Sequence, residues 1–517
     1  MRGLFRSIGH VARLFGICLT LARYDALFLF EPIGPGPVLR AARLLRRRGT
    51  GRPGQRLAAA FEAIGPAFIK LGQMLATRAD LLGDEVAADL AMLQDKLPPF
   101  PASAARALIE GEFGCPVASL FDAFDDAPIA AASIAQVHFA TTSDGEKVAV
   151  KVLRPGIDAA FARDLDLLRW LAHLIERTRP GLRRLRPLEI VRLFERWVEL
   201  EMDLRFEAAA ASELAENFAG DPGYHVPTVD WRRTGRRVMT TSRIGGIRVD
   251  DRAALVAAGH DIDGLLQKAA EAFFKQVFRD GFFHADPHPG NMFVEPDGTI
   301  AVVDFGIMGR LDRKTRFFLA DMLVGFLTGD YRRVAQVHFA AGYVPPHRSV
   351  DDFALAARSI GEPILGKPLA EISIARLLAQ LFRVTEQFEM EAQPQLLLLQ
   401  KTMVLVEGVG RQLDPTVNIW ALARPLIEEW MRDNRGPEAQ LRERFDNAVA
   451  VLNAIPPLVE DVATLVKTWS EDGVMLHAES LARHAEQRWR DLIWLIVPLW
   501  LAAAGLVAIA VALFLRR

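Results

Sequence analysis

Apolar positions recur at helical spacing through most of this chain and change to alternate-residue spacing in a few short stretches. Phe61 to Thr77, Glu85 to Gln94 and Ser103 to Phe113 carry the helical period, and Ser103 is the predicted N-cap of the third helix. Between Ile129 and Val152 the period changes. Val137-His138-Phe139-Ala140-Thr141 predicts a strand, Ser143-Asp144-Gly145 a turn, and Lys147-Val148-Ala149-Val150-Lys151-Val152 the returning strand. Residues 157–219 are again helical in pattern, Arg237 to Thr241 predicts another strand, and a helix from about 262 to 281 precedes a Pro-rich loop. Met292 to Val294 and Ile300 to Val303 are short apolar runs on either side of the turn signal Pro296-Asp297-Gly298. Beyond residue 311 the pattern is helical, with a break at Pro345-Pro346 and no internal repeat. The expected class is α+β and predominantly helical.

The two ends differ from the middle. Leu492 to Leu515 contains no charged residue, is long enough to cross a bilayer as a helix, and carries Trp494 and Trp500 near one end. It predicts a C-terminal membrane anchor, with Pro498 and Gly505 as interruptions that membrane helices tolerate. A single span and a re-entrant hairpin both fit. Near the other end, Phe15 to Ala22 is apolar but short and bracketed by Arg13 and Arg23, which argues against a signal peptide. Arg40 to Arg56 holds seven arginines and no acid, which fits either a solvated linker or attraction to anionic headgroups. Gly34-Pro35-Gly36-Pro37 and the stretch from Gly49 to Gly54 are breaks.

Composition narrows the classes. Against 62 Lys and Arg stand 64 Asp and Glu, a formal net charge of −2, so there is no nucleic-acid signal. Two cysteines, Cys18 and Cys115, cannot build a disulfide framework, which fits a reducing compartment. No flavin, haem or iron pattern supports redox chemistry.

The chemistry is concentrated in His284-Ala285-Asp286-Pro287-His288-Pro289-Gly290-Asn291 and in Asp304-Phe305-Gly306. Phosphoryl transfer needs one carboxylate to orient or deprotonate a nucleophile, and an amide oxygen and a second carboxylate to hold Mg2+ on the phosphates. Asp286, Asn291 and Asp304 occur in that order, and the predicted hairpin puts Asn291 and Asp304 at neighbouring strand ends. One amide and one carboxylate suit a cation that keeps phosphate oxygens as its other ligands. A surface hairpin with chance acids is the competing reading. His284 and His288 are a poor zinc pair, because the prolines between them disfavour a helix.

Val148-Ala149-Val150-Lys151 has the pattern of a kinase strand whose lysine contacts ATP phosphates. That lysine needs a helix carboxylate, for which Glu201, Asp203 and Glu207 are candidates. Asp203 and Glu207 share a helix face, and Glu207 is the favoured partner, the alternative being a solvated acidic face. Where a Gly-rich phosphate loop is expected, the chain has Ala130-Ala131-Ala132-Ser133-Ile134-Ala135-Gln136, whose methyl groups restrict the backbone. These residues, with Lys151 and the three acids, form the predicted ATP-binding set.

Further motifs accompany these. Lys70-Leu71-Gly72-Gln73, Thr77-Arg78-Ala79-Asp80, Leu93-Gln94-Asp95, Ala130 to Gln136, Lys151 to Gly156, Glu201-Met202-Asp203, Glu407-Gly408 and Leu413-Asp414-Pro415 follow one another in the order seen in a known family. Over roughly residues 55 to 425, and in its tail, the chain resembles the UbiB-type (ADCK-like) atypical kinases and ATPases of ubiquinone biosynthesis. Val238 to Arg243 departs from the more apolar, acidic hinge usual there, so no adenine contact is assigned. The resemblance implies a two-lobed, protein-kinase-like fold with a helical extension over the active site. Lys70 and Gln73 would then reach into the pocket, with Glu201 as their partner, and peptide substrates would be blocked.

The domains expected on this basis are a basic amphipathic segment over 1–60, the Lys-x-Gly-Gln extension over 61–125 and a kinase-like N-lobe with inserted helices over 126–250. A C-lobe over 251–425, a helical extension over 426–490 and the anchor over 491–517 complete them. The expected activity is Mg-dependent ATP hydrolysis or atypical phosphotransfer, with Asp286, Lys151, Lys70 and Gln73 as catalytic residues and Asn291 and Asp304 as metal ligands. Expected partners are ATP, polyprenyl-phenol or quinone precursors in an inner-membrane lipid, ubiquinone-synthesis enzymes and a second copy of the chain. The expected location is a bacterial cytoplasmic membrane with the catalytic domain in the cytoplasm. A nucleotide-binding scaffold and a small-molecule kinase are the rival functions.

Overall fold

The computed structural model describes residues 2–28, 51–76, 82–91, 93, 98–178, 186–363, 380, 383–385, 387–390, 393–417 and 419–435. Several expectations lie outside the described residues: the basic run at 40–50, Thr77 to Asp80, Gln94 and Asp95, most of the 426–490 extension, and the segment Leu492 to Leu515. Among the described residues, no helix is long and apolar enough to cross a membrane. The chain divides into two units, Met1–Met431 and Arg432–Arg517, and the described architecture belongs to the first apart from residues 432–435.

Helix α1 (Arg2–Arg23) buries Ile17, Cys18, Leu21 and Ala22 in the main core. Arg13 on α1 donates to Asp164 at 2.9 and 3.0 Å. The expected helix from Phe61 to Thr77 is in fact two: α2 (Pro53–Ile64) and α3 (Pro66–Ala76). Gly65 stands between them at φ 129°, a left-handed conformation that glycine adopts without strain, and Pro66 starts the next helix, where its missing N–H costs nothing. Helix α4 (Asp84–Ala91) follows. A Cβ on Gly72 would lie 2.5 Å from Leu93 Cδ1 and 2.8 Å from Phe61 Cδ2, so this glycine lets α3 approach its neighbours closely. Helix α5 (Ala102–Phe113) starts at Pro101 with no side-chain cap, so Ser103 lies inside the first turn and is not the N-cap.

After a short α6 (Val117–Leu120) comes the N-lobe sheet: β1 (Phe121–Phe124), β2 (Ala130–Ala131), β3 (Ala135–Thr142), β4 (Lys147–Leu153) and, later, β6 (Val238–Ser242). The order is β1-β3-β4-β6, with β2 paired to β3. Strand period decides the faces. Val148, Val150 and Val152 on β4 point into a core with Ile109, Val117 and Phe121, which turns Lys151 to the opposite face. Between β4 and the next strand run α7 (Ile157–Thr178), α8 (Pro187–Glu201) and α9 (Leu204–Asn217). Asp203 breaks α8 from α9 and caps α9, accepting from Arg205 N–H.

In the C-lobe, β5 (Tyr224–His225), β7 (Ile247–Arg248), β9 (Met292–Val294) and β10 (Ile300–Val302) form a second sheet in the order β5-β10-β9-β7. Helix α10 (Arg252–Ala257) precedes α11 (Ile262–Phe274). The helix expected to 281 leaves α-geometry at Lys275. A π-helical turn, Lys275–Asp280, ends at Gly281 and feeds β8 (Phe282–His284), which pairs with β11 (Met308–Arg310). Then come α12 (Arg313–Thr328), α13 (Tyr331–Ala340), α14 (Val350–Gly361), α15 (Pro394–Leu413) and α16 (Ile419–Arg435). The result is a kinase-like fold with mostly helical content.

Candidate active site

The β9–β10 hairpin pairs Met292 with Val302 and Val294 with Ile300, and Val303 N–H donates to Asn291 O at 2.9 Å. Asn291 and Asp304 therefore stand at the same end of the hairpin. Asn291 Nδ2 donates to the backbone oxygen of Asp286 at 3.2 Å, which leaves its Oδ1 for another partner. Asp304 has φ 66°, a left-handed conformation tolerated by Asp more readily than by bulky residues, and half of its side chain is exposed.

The loop before the hairpin is held from behind. His284 is buried; its Nδ1 accepts from Asp286 N–H at 3.2 Å and its Nε2 donates to Val303 O at 3.2 Å. Burial pulls the imidazole pKa down, which fits the neutral ring that this bonding requires. His284 thus braces the loop. Gln276, from the π-turn, accepts from His284 N–H at 2.8 Å and donates to Tyr224 Oη at 3.1 Å. A π-turn re-aims one side chain, here onto the loop that carries Asp286.

Lys151 reaches the same cleft from β4. Its Nζ donates to Glu207 Oε1 at 2.6 Å and to Asp304 Oδ1 at 3.0 Å. Burial pulls the Lys151 ammonium down, but Asp304 and Glu207 overcome it, so the group holds its proton more tightly than an ordinary lysine. Lys151 in turn holds the Asp304 carboxyl well below the usual range, while burial pushes the Glu207 carboxyl up. Of the three acids considered from sequence, Glu207 is the partner of Lys151. Asp203 is not brought to Lys151: as the cap of α9 it is bonded to Arg205 at 2.7 and 2.9 Å, and those bonds hold its carboxyl low.

Glu201 has a different partner. Lys70 of α3 lies 3.2 Å from Glu201 Oε1 and 3.1 Å from Oε2, and the two side chains are only 7% and 8% exposed. The Lys70 ammonium also sits 5.8 Å from the Trp197 ring centroid. Its charge helps to lower the Asp304 carboxyl, and the Glu201 charge helps to raise that of Glu207, so the two ion pairs are linked electrostatically. Gln73, one turn on from Lys70, has a buried Oε1 with no hydrogen-bond partner.

The alanine loop closes as a tight hairpin. Ala130 pairs with Val137, Ala131 with Gln136, and Ala132 N–H donates to Ala135 O at 2.8 Å. None of its residues takes a positive φ, so alanine fits where a looser loop would need glycine. Arg154 steadies it by donating to Ala132 O at 2.9 and 3.1 Å. Ser133 Oγ is fully buried and unpartnered. Gln136 differs from expectation. The alternation of β3 turns it inward, where its amide accepts from Phe100 N–H and donates to Phe100 O, so it is a strut and its side chain is not available to ATP.

Comparisons with known proteins decide the family. A model of the ABC1 atypical kinase-like domain matches residues 92–338, and a model of the UbiB helical domain matches residues 357–418. The chain belongs to the UbiB family. A Marinobacter nauticus protein named probable protein kinase UbiB is 41% identical over 515 residues, covering 96% of this chain and 93% of its own. Proteins of the same name from Aeromonas salmonicida and Azotobacter vinelandii are 46% and 42% identical, covering 79% and 88% of this chain and 76% and 87% of their own. A solved Mycobacterium tuberculosis protein in complex with erythromycin is 26% identical over 72% of this chain and 95% of its own, with a TM-score of 0.49.

The UbiB helical domain adds one side chain that sequence reasoning missed. Lys401 of α15 lies 2.9 Å from Asp286 Oδ1. A lone lysine in the apolar run from Leu396 to Val406 was its only signal, and its partner is remote in sequence. Within the cleft, the oxygens that could hold a cation are those of the Asn291 amide and the Asp304 carboxylate. Hard oxygen donors of this kind suit magnesium, which keeps phosphate oxygens and water as its remaining ligands.

Proposed function

We propose that this UbiB-family protein is a magnesium-dependent ATPase or atypical phosphotransferase that supports ubiquinone biosynthesis at a membrane, acting on or with lipid-linked precursors and their enzymes. The observation that carries the reading is convergence. Asp286, Asn291, Asp304 and the Lys151–Glu207 pair meet in one cleft, and Lys70 of the extension is buried against Glu201 beside them. A cleft covered in this way favours water or a small acceptor over a polypeptide.

Each side chain has a task in ATP turnover. Lys151, kept charged by its two carboxylates, binds phosphate oxygens. Asp286 orients the acceptor oxygen and takes its proton as that oxygen bonds to the γ-phosphorus and ADP departs. Asn291 and Asp304 would hold magnesium, which would neutralise charge on the β- and γ-phosphates. The alanine loop covers the phosphates with backbone that cannot flex as glycine would.

The membrane part of the proposal rests on sequence. Leu492 to Leu515 is free of charge and of anchor length, and the catalytic part would lie in the cytoplasm with its ATP. The test is ATP turnover by the full chain on anionic liposomes with and without a polyprenyl-phenol. Phosphate release should rise several-fold with the lipid and the phenol together. Release indifferent to both would remove the lipid-linked role and leave a soluble-type ATPase.

A further inference from the structure

Asp286 meets a cation from outside its own domain. The Lys401–Asp286 contact is 2.9 Å, and the side chains are 29% and 32% exposed, so the pair opens onto solvent. The helix that carries Lys401 is firmly seated. Leu399 is buried in one cluster with Phe283 and Ala285, the residues on either side of His284, and α15 also packs on β11, just beyond Asp304-Phe305-Gly306. Helix and loop are thus registered to each other, which places the ammonium at the carboxylate.

Phosphoryl transfer gathers negative charge on the γ-phosphoryl oxygens. The loop from Asp286 to Asn291 contains no lysine or arginine to meet that charge. His288 of that loop uses its Nδ1 to accept from Gly290 N–H at 3.1 Å. Lys151, bonded to Glu207 and Asp304, reaches the phosphates from the N-lobe side, and Lys70 is buried against Glu201. Among the described residues, the cation bonded to Asp286 is Lys401.

We propose that Lys401 is a catalytic residue supplied by the UbiB helical domain, its ammonium binding the γ-phosphoryl oxygens of ATP while it keeps its bond to Asp286. In the reaction the acceptor oxygen bonds to the γ-phosphorus, and the bond from that phosphorus to the β–γ bridging oxygen breaks. The electron pair leaves with ADP, and the acceptor's proton passes to Asp286 and on to solvent. Lys401 keeps its own proton throughout. The helical domain is then part of the active site. This inference rests on the ATP reading above, and its test separates the two.

The full chain is titrated by calorimetry with ADP and with the β,γ-imido analogue of ATP, each with magnesium, in wild type, Lys401→Met and Lys401→Arg. Wild type should prefer the triphosphate analogue. Lys401→Met should lose about 10- to 100-fold of that preference, the worth of a charge-assisted contact, with its ADP affinity unchanged. Lys401→Arg should keep most of it and retain measurable turnover. If Lys401→Met does not fold, Lys401→Gln provides the same comparison. An unchanged ratio in the neutral variant overturns the proposal. So does ATP turnover that rises on removing the lysine, which would make the contact an inhibitory clamp. Wild type that binds both nucleotides equally overturns this proposal alone, whereas wild type that binds neither overturns the ATP reading and this proposal with it.

Discussion

Asp304→Asn should abolish ATP turnover, with a fall in kcat on the order of 10³-fold or more, while the fold survives. The residue has two duties in the cleft: its carboxylate is one of two protein oxygens suited to magnesium, and it is bonded to Lys151 at 3.0 Å. The amide keeps the shape and one acceptor oxygen but removes the charge. Lost electrostatic stabilisation of a transferring phosphoryl group alone accounts for a factor of 10² to 10³ per group, and the weaker hold on the cation adds to it. Asparagine also tolerates the φ of 66° found here, so the backbone is not strained by the change. The check is steady-state phosphate release at saturating magnesium, beside a thermal melt. Turnover within tenfold of wild type would show that Asp304 is not a metal ligand.

Lys70→Met should lower stability by about 3 kcal/mol, because it takes the ammonium away from the buried Glu201 carboxylate. Adding Glu201→Leu should recover most of the loss, since a well-packed apolar pair often replaces a buried ion pair at little cost. Urea denaturation of the two variants and the wild type measures this. Activity should behave differently. The double variant regains its fold but not its turnover, because the charge that Lys70 lends to Asp304 is still absent. A Lys70→Met protein as stable as wild type would mean that the pair is loosely held. A double variant with full turnover would reduce the extension to packing.

The parts of this site that were legible in sequence are those that local geometry dictates. Two short apolar runs around Pro296-Asp297-Gly298 can hardly form anything but a hairpin, and a hairpin brings Asn291 and Asp304 together. Alternation in β4 puts Lys151 opposite three buried valines without any knowledge of the cleft. Glu207 is the partner of Lys151, but for a physical reason other than a shared helix face. Residues 201 to 207 are not one helix: the chain breaks at Asp203, whose short carboxylate caps the new helix. Gln136 sits at the end of a loop motif, yet the first inward position of β3 claims it for Phe100. The π-turn at Lys275 is invisible because one extra residue hardly alters an apolar pattern, although it aims Gln276 at His284. Lys401 could not be found from spacing, since its partner Asp286 meets it only through tertiary packing.

The likeness to named relatives fixes the family, while chemistry is the property on which catalyst and scaffold differ. The most direct measurement is a single turnover of γ-labelled ATP by the full chain in excess, with magnesium and then with a chelator. Bound ATP should be cleaved, the label should leave as inorganic phosphate or on a small lipid acceptor, and chelation should stop it. ATP that binds and is recovered intact in the presence of magnesium would contradict the account and make the cleft a nucleotide-gated scaffold.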